Sequence, residues 1–537
     1  MNLIEVLKNK NRDNLNKTAI YFYEKFFLLK EITYQNLFDK IDQKASMIKA
    51  QNISGFALIC IANPLDFLIS FLALVQAGCV PVPFAPVNTG LLNHFKDRAN
   101  HLFLNYKFDF IVTDSISFDE LTIYSDYIVN LDFKFKNNIF KKSTPDIHAN
   151  ACFVQFSSGS TSNPKGVVIN NKQLIANLEQ INQALNPSAT DKIITWLPLY
   201  HDMGLIGAIF SPLFAQAEVH LMATQDYIGQ VEKYLDLICE KKINFVLGPD
   251  FMYRQMSKIL NRKKFNLSHL KVCMSGAELV LPSTTRLFKN ALKHSDCFHD
   301  VFRPVYGMAE ACLAVAFQPA GQPPQIHTDK NNREVVSCGE ALEQQFIKVI
   351  NSENESVNQG EIGEVAVAGR SIFEEYYLNK VVKSITPDGF FKTGDEGFII
   401  NQQLYLLGRK KDVIIFNGVK YHSLDIENLI FENHKNQIGR IACVQLDGFY
   451  VVAEIPWHLW IFKLRIKNKI NNTVLQKSQL KPKGIILVPK FDLPRTTSGK
   501  IQRYKVIEKL ETREYFHPIY FLKSIFLTLK GLRGIAV

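Results

Sequence analysis

At 537 residues the chain exceeds what one hydrophobic core normally supports, and its 47% apolar and 21% charged residues exclude a fibrous, low-complexity or disordered protein. The opening MNLIEVLKNKNRDNL lacks the apolar core of a secretory signal, and nine scattered cysteines without a Cys-x-x-Cys pair point to reduced thiols in a cytoplasmic protein instead of disulfides or zinc. The net charge of +11 is concentrated in residues 461–537, which carry 17 Lys/Arg against 4 Asp/Glu; a general nucleic-acid coat is excluded, while the basic end suits an acidic partner, an anionic lipid surface or a polyphosphate substrate.

In chain order, ITYQNLFDKIDQKASMIKA reads as an amphipathic helix behind a short strand, GFALICIAN as a buried strand, and DFLISFLALVQAG as a helix ending at Gly78. That last run is too short to cross a bilayer and leads into a proline-rich extended segment. KFDFIVTD, IITWLPL, AEVHLMA, INFVLG and HLKVCMSG are further short apolar strands with helical stretches between several of them. The alternation predicts an α/β architecture with largely parallel sheets. From about Glu361 the pattern changes to short strands with glycine turns (GEIGEVAVAG, DGFFKTGDEGFII, NQQLYLLGR), which predicts a small antiparallel sheet or barrel. Gly408-Arg409-Lys410-Lys411-Asp412 then reads as an exposed turn able to act as a hinge. About 100 residues follow, mixing strands and helices. The tail beyond Glu514 has no acidic residue and one apolar helical face, suited to a membrane surface, a partner or its own domain.

The segment FVQFSSGSTSNPKGVV (residues 153–168) has the composition of a phosphate loop: backbone N–H groups and Ser/Thr hydroxyls can converge on phosphate oxygens, and Lys165 adds a mobile charge. It is not a Walker loop, because Pro164 precedes the lysine and a strand follows it. Such a loop suits an enzyme that must release pyrophosphate. Alone it would more often be a surface turn. Five further segments follow it in fixed order: WLPLYHDMGLIG (196–207), CMSGAE (273–278), VYGMAEA (305–311), FFKTGDEG with GRKKDVI (390–397 and 408–414), and LPRTTSGKIQR (493–503). No zinc spacing is present; Ser275 lacks the flanking glycines of a nucleophile elbow, and adjacent His201-Asp202 is no catalytic pair by adjacency.

This ordered series closely resembles the core motifs of the adenylate-forming (ANL) superfamily over nearly the whole chain, and is closest to fatty acyl-AMP ligases and long-chain acyl-CoA synthetases. The resemblance implies a large N-terminal adenylation domain over 1–407, with two α/β sheet subdomains and a small β-barrel. A hinge at 408–412, a smaller mobile α+β C-terminal domain over 413–512 and a basic amphipathic tail over 513–537 complete it. It implies that Ser157, Ser158, Gly159, Ser160, Thr161 and Lys165 close over the β- and γ-phosphates of ATP. Gly276, Ala277, Glu278, Tyr306 and Gly307 would form the adenine slot, and Asp395 with Arg409 nearby would hold the ribose. Glu310 would hold Mg2+ against the phosphates, His201 would lie by the acyl carboxylate, Lys411 would be the hinge residue, and Lys500 would reach the attacking carboxylate and the α-phosphate. Ser162 departs from the usual glycine and leaves the hydroxyl cluster intact, whereas Ala309 replaces the usual threonine, which puts one hydroxyl contact to the α-phosphate in doubt. The implied reaction is activation of a fatty acid to acyl-AMP, followed by transfer to a phosphopantetheine thiol of an acyl carrier protein or to coenzyme A. The segment AFQPAGQPPQIHTDKNNREVVSCG, where fatty acyl-AMP ligases often carry an insertion, is only modestly extended and does not discriminate; the basic small domain favours an acidic acyl carrier protein as acceptor, with a long-chain fatty acid–CoA ligase as the alternative. A non-catalytic adenylate-fold scaffold is the remaining alternative, and the closing LKGLRGIAV has a short similarity to the opening of membrane acyltransferases, as in a longer fusion.

Overall fold

The computed structural model describes residues 2–87, 92–114, 117–124, 128–130, 150–157, 164–329, 333–378, 382, 384–496 and 499–516. Ser158, Gly159, Ser160 and Thr161, and the tail beyond 516, lie outside the described residues. The chain divides into two compact units. The first comprises Met1–Ser157, Lys165–Thr393 and Phe398–Leu406; the second takes in Ser158–Pro164, Gly394–Gly397 and Leu407 onward.

The first unit is built on a nine-stranded sheet. Its central strands are Phe302–Gly307, Val272–Ser275, Phe245–Gly248, Lys192–Thr195, Glu218–Met222 and Thr18–Glu24, in that spatial order and all parallel. Antiparallel strands close both edges: Ala314–Phe317 followed by Glu340–Ala341 at one, and Phe27–Thr33 at the other. Short all-buried runs such as Phe245–Gly248 and Val272–Ser275 give no alternation because both faces are covered, as parallel sheets require. A second parallel sheet orders Val80–Pro83, Phe56–Cys60, Phe110–Thr113 and Ile128–Val129.

The helix Pro64–Ala77 carries the most apolar run of the chain. The Asn63 side chain accepts from Leu65 and Asp66 N–H at 2.9 and 3.1 Å, Pro64 fits the first turn, and Gly78 ends the helix at φ 84°, where a side chain would be strained. Its residues from Phe67 to Val75 are all buried, so the hydrophobicity serves the core; no helix among the described residues is long and apolar enough to cross a membrane.

A third sheet orders Gln345–Ile350, Gly363–Gly369, Phe391–Ile400 and Gln403–Arg409. It starts earlier than the glycine-turn signal at Glu361 indicates, because its first strand, QFIKVI, contains no glycine to announce it. All nine cysteines are free, eight of them buried, and burial pushes the thiols of Cys60, Cys79 and Cys152 up to about 12, which leaves them unreactive.

The second unit centres on the sheet Ile441–Gln445, Phe449–Ile455, Gly484–Pro489, its first pair antiparallel and its second parallel. Strand alternation divides its core in two. Ile441, Cys443, Val451 and Ala453 pack on Ile426 and Ile430 of the helix Ser423–His434 and on Ile466, Ile470 and Val474 of the helix Lys463–Ser478. Ala442, Val444 and Val452 face the other way, onto Val506 and Leu510 of the helix Arg503–Glu511. Each fully buried aliphatic side chain contributes about 1.5–3 kcal/mol.

Candidate active site

Ligands of open parallel sheets bind beyond the carboxyl ends of the strands, where the strand order reverses. Here the reversal lies at Lys192–Thr195: the chain moves first to Glu218–Met222 on one side, then returns to Phe245–Gly248 on the other. Trp196 to Asp202 follow the carboxyl end of that strand directly. Gly276-Ala277-Glu278 follow Val272–Ser275, and Tyr306-Gly307 end Phe302–Gly307. Because these strands are parallel, segments scattered over 110 residues of sequence emerge along one edge of one sheet.

At the reversal point Asp202 caps its own following turn (Met203 N–H, 2.8 Å), and Met203–Phe210 forms a π-helix, an arrangement frequent at functional sites. Gly204 allows the tight entry, since a Cβ there would stand 2.3 Å from the Pro198 carbonyl oxygen. His201 is half-buried, its ring 4.8 Å from that of Tyr200, and Gln155 Nε2 donates to the Tyr200 carbonyl at 3.1 Å, tying this turn to the strand that leads into the phosphate loop.

The two glycines assigned to an adenine slot have packing reasons of their own. A Cβ at Gly276 would meet Val305 Cγ2 at 2.6 Å, and one at Gly307 would meet the Leu313 carbonyl oxygen at 1.8 Å. Tyr306 is buried, and the Glu278 carboxylate accepts from Phe251 N–H at 2.8 Å at the start of the helix Asp250–Leu260. Ala277 holds a φ of 66°, which turns the chain sharply off the strand.

The strands Ala151–Phe156 and Gly166–Asn170 form an antiparallel pair flanking the segment expected to be the phosphate loop. Ser157 N–H donates to the Lys165 carbonyl at 2.9 Å and Lys165 N–H donates to Ser157 Oγ at 3.1 Å, closing the loop base. On its other side the second strand meets 375–377, through Val168 N–H to the Glu375 carbonyl and Tyr377 N–H to the Gly166 carbonyl. This places Tyr376 between two predicted site residues. Lys165 Nζ lies 4.9 Å from the centre of its ring, and its hydroxyl donates to Glu310 Oε1 at 3.3 Å. Burial, then the nearby Glu310 charge, push the Tyr376 hydroxyl well above its ordinary pKa, so it stays a donor.

Glu310 itself sits in the short turn Ala309–Ala311, its carbonyl accepting from Phe373 N–H at 2.8 Å. No cluster of three metal-ligating side chains exists among the described residues, so Glu310 does not belong to a preformed three-ligand set. That donor set fits Mg2+ only when phosphate and water oxygens complete the shell, as in a nucleotide-borne ion. Tyr376→Phe should keep the ring under Lys165 but lower kcat/KM for ATP about tenfold, measured by pyrophosphate exchange at varied ATP. An unchanged value would remove Tyr376 from the nucleotide end of the site.

The remaining site residues belong to the second unit. Arg409 Nε lies 3.0 Å from Asp395 Oδ1, and Lys410 N–H donates to the Gly394 carbonyl at 2.9 Å. Lys411 is exposed in the turn between Gln403–Arg409 and Val413–Phe416. Lys500 is held in a tight turn: Thr496 Oγ1 accepts from Lys500 N–H at 3.0 Å, Thr496 N–H donates to the Lys500 carbonyl at 2.8 Å, and Gly499 adopts φ 84°. Arg440 donates to the Gly499 carbonyl from outside the turn.

Sequence reasoning missed a buried ion cluster next to these residues. The Arg503 guanidinium donates to Glu427 through Nε (3.2 Å) and Nη2 (2.7 Å) and to Asp412 through Nη1 (2.8 Å). It thereby links the residue after Lys411 to the helix that follows the Lys500 turn. Burial opposes the charge, but the two carboxylates outweigh it and push the guanidinium pKa up.

Loop ends gathered along one sheet edge, a hairpin closed by Ser157 and Lys165, and the Glu310 carboxylate tied to it through Tyr376 are the arrangement expected of a nucleotide-activating enzyme. The chain belongs to the AMP-binding enzyme family, whose model matches residues 7–377; residues 411–516 match the AMP domain of Disco-interacting protein 2-like proteins. A medium-chain-fatty-acid–acyl-carrier-protein ligase of Teredinibacter turnerae is 29% identical over 67% of this chain and 63% of its own length. A ligase of the same description from Moorena producens is 25% identical over 87% of this chain and 88% of its own. A 4-hydroxyphenylalkanoate adenylyltransferase of Mycobacterium marinum is 25% identical over 89% and 85%. A chain from structural and functional studies of fatty acyl-adenylate ligases from E. coli and L. pneumophila shares the fold at TM-score 0.85 and 23% identity, covering 96% of this chain and 99% of that one.

Proposed function

We propose that the protein activates a fatty acid with ATP and passes the acyl group to the phosphopantetheine thiol of an acyl carrier protein. A carboxylate oxygen attacks the α-phosphorus, the bond to the bridging oxygen of pyrophosphate breaks, and acyl-AMP forms. A thiolate then attacks the acyl carbonyl carbon and AMP leaves. The observation that carries this reading is the chain of contacts Lys165–Tyr376–Glu310 beside the carboxyl edge of the parallel sheet. It supplies cationic and hydrogen-bonding groups for the part of the nucleotide that departs. Glu310 is the residue suited to hold Mg2+ with the phosphate oxygens, and the ion neutralises phosphate charge when bound. Asp395 is the acceptor for the ribose hydroxyls, with Arg409 against it. His201 takes the carboxylate end of the acyl group, and the buried apolar run from Gly204 to Phe214 lines part of its path.

Lys500 supplies the charge that lets two anions approach. Residues 408–412 form the hinge, with Lys411 at its exposed apex, between an adenylation domain over 1–407 and a mobile domain over 413–512. The relatives named as carrier-protein ligases support the acceptor, as does the basic character of residues 461–537, to which an acidic carrier is steered. Free, mostly buried thiols support a reducing cytoplasmic setting, and the basic tail over 513–537 adds a cationic segment attractive to a carrier protein or a lipid surface. The test is to supply purified acyl-AMP with either a phosphopantetheinylated carrier protein or free coenzyme A. AMP release with the carrier and little with coenzyme A supports the proposal. The opposite preference makes the protein an acyl-CoA ligase.

A further inference from the structure

The helix Lys463–Ser478 and the short helical turn before it, Trp457–Phe462, carry an apolar surface that the catalytic reading does not use. Within this segment Leu459, Trp460, Ile466, Ile470 and Val474 turn inward onto the core of the second unit. Ile461 is 83% exposed, Leu464 70%, Phe462 47% and Trp457 41%. At 100° per residue Leu464 and the exposed Leu475 lie on the helix face opposite the Ile466–Ile470–Val474 stripe, so their exposure follows from the way the helix is seated. The charge around them is of one sign. Between Glu454 and Asp492 the chain has eight Lys/Arg and no Asp or Glu, and Lys463, Arg465, Lys467 and Lys469 interleave with the apolar residues.

We infer that this surface, Trp457 to Leu475 of the second unit, lies on an anionic lipid surface. Outward Trp, Ile, Phe and Leu side chains reach the boundary between headgroups and acyl chains, while the flanking Lys and Arg meet the anionic headgroups. The inward residues fix the segment in place, so little chain entropy opposes docking. An acidic protein would answer the cations equally well, but the large exposed side chains, Ile461 foremost, ask for an apolar phase over the same few residues. The inference rests on these exposures and charges and not on the proposed acyl chemistry.

The test uses the full chain without ATP or fatty acid, sedimented with vesicles of phosphatidylcholine and phosphatidylglycerol or of phosphatidylcholine alone. Binding to the anionic vesicles should weaken with salt and be accompanied by a blue shift of tryptophan emission. Ile461→Ser/Phe462→Ser/Leu464→Ser and Lys463→Glu/Arg465→Glu should each reduce it at least about tenfold, with pyrophosphate exchange unchanged. Should the triple variant fail to fold, Ile461→Ser alone, at the most exposed position, should still lower the affinity measurably. No binding to anionic vesicles, or binding equal in wild type and variants, would overturn the inference. So would variants that raise KM for an acidic carrier protein while vesicle binding stays intact, because the surface would then belong to a protein partner.

Discussion

Lys500→Ala should lower fatty-acid-dependent exchange of pyrophosphate into ATP by about 100- to 1,000-fold, while ATP affinity measured by equilibrium binding changes little. The asymmetry follows from what the side chain is proposed to do. On the proposed reading ATP is gripped by the loop whose base Ser157 and Lys165 close and by Tyr376 and Glu310, none of which depends on the Lys500 side chain. Lys500 is instead proposed to act where a carboxylate approaches a phosphate, a repulsion that develops only as the two meet. An ammonium placed between them stabilises the transition state more than the ground state, so its loss falls on kcat. The turn that carries it is specified locally by Thr496 and by Gly499 at φ 84°, so alanine at 500 leaves the backbone hydrogen bonds intact. A fall in ATP affinity of the same size as the fall in rate would mean that Lys500 is a nucleotide-binding residue only.

Arg503→Ala should destabilise the second unit by about 3–5 kcal/mol, because it leaves Glu427 buried with a charge and no cation beside it. Removing Arg503 together with Glu427, the more buried of its two carboxylate partners, is a different matter. Arg503→Met combined with Glu427→Gln should recover much of the loss, since desolvation of an unpaired ion is the main cost. Arg503→Lys keeps the charge but cannot make the two-pronged contact to Glu427, and should fall between. Amide hydrogen exchange resolved to the strands Ile441–Gln445 and Phe449–Ile455 reads this directly. The single alanine variant should raise exchange there while the nine-stranded sheet of the first unit keeps its protection. Equal protection in wild type and Arg503→Ala would show the cluster to be energetically neutral.

Much of the fold was legible because parallel strands and their helices write themselves in short apolar runs and punctuation: the Gly78 stop is visible in sequence, whereas the Asn63 cap that starts the same helix was read as the end of the preceding strand. The backbone closure between Thr496 and Lys500 was legible for a similar reason, since a threonine acceptor and Gly499 at positive φ specify it locally. Tyr376 was not. It stands in the unremarked string Glu-Glu-Tyr-Tyr, and its partners Glu310 and Lys165 reach it only through sheet pairing with Val167. Arg503 could be read as part of a motif, but its partner Glu427 lies 76 residues earlier on another helix, and no local signal pairs them. Gly307 is the opposite case. The resemblance gave it a place in the adenine slot, and the structure adds a packing requirement the sequence did not announce: a Cβ there would clash with the Leu313 carbonyl oxygen. Local chemistry reads from sequence; contacts made by the fold do not.

The central claim is that a fatty acid carboxylate is joined to AMP at this site. The most direct measurement is incorporation of labelled pyrophosphate into ATP by the purified chain over a panel of fatty acids of increasing length. Exchange that depends on added fatty acid, with a preferred chain length, is the predicted result. Absence of exchange at every length, with ATP binding intact, would contradict it.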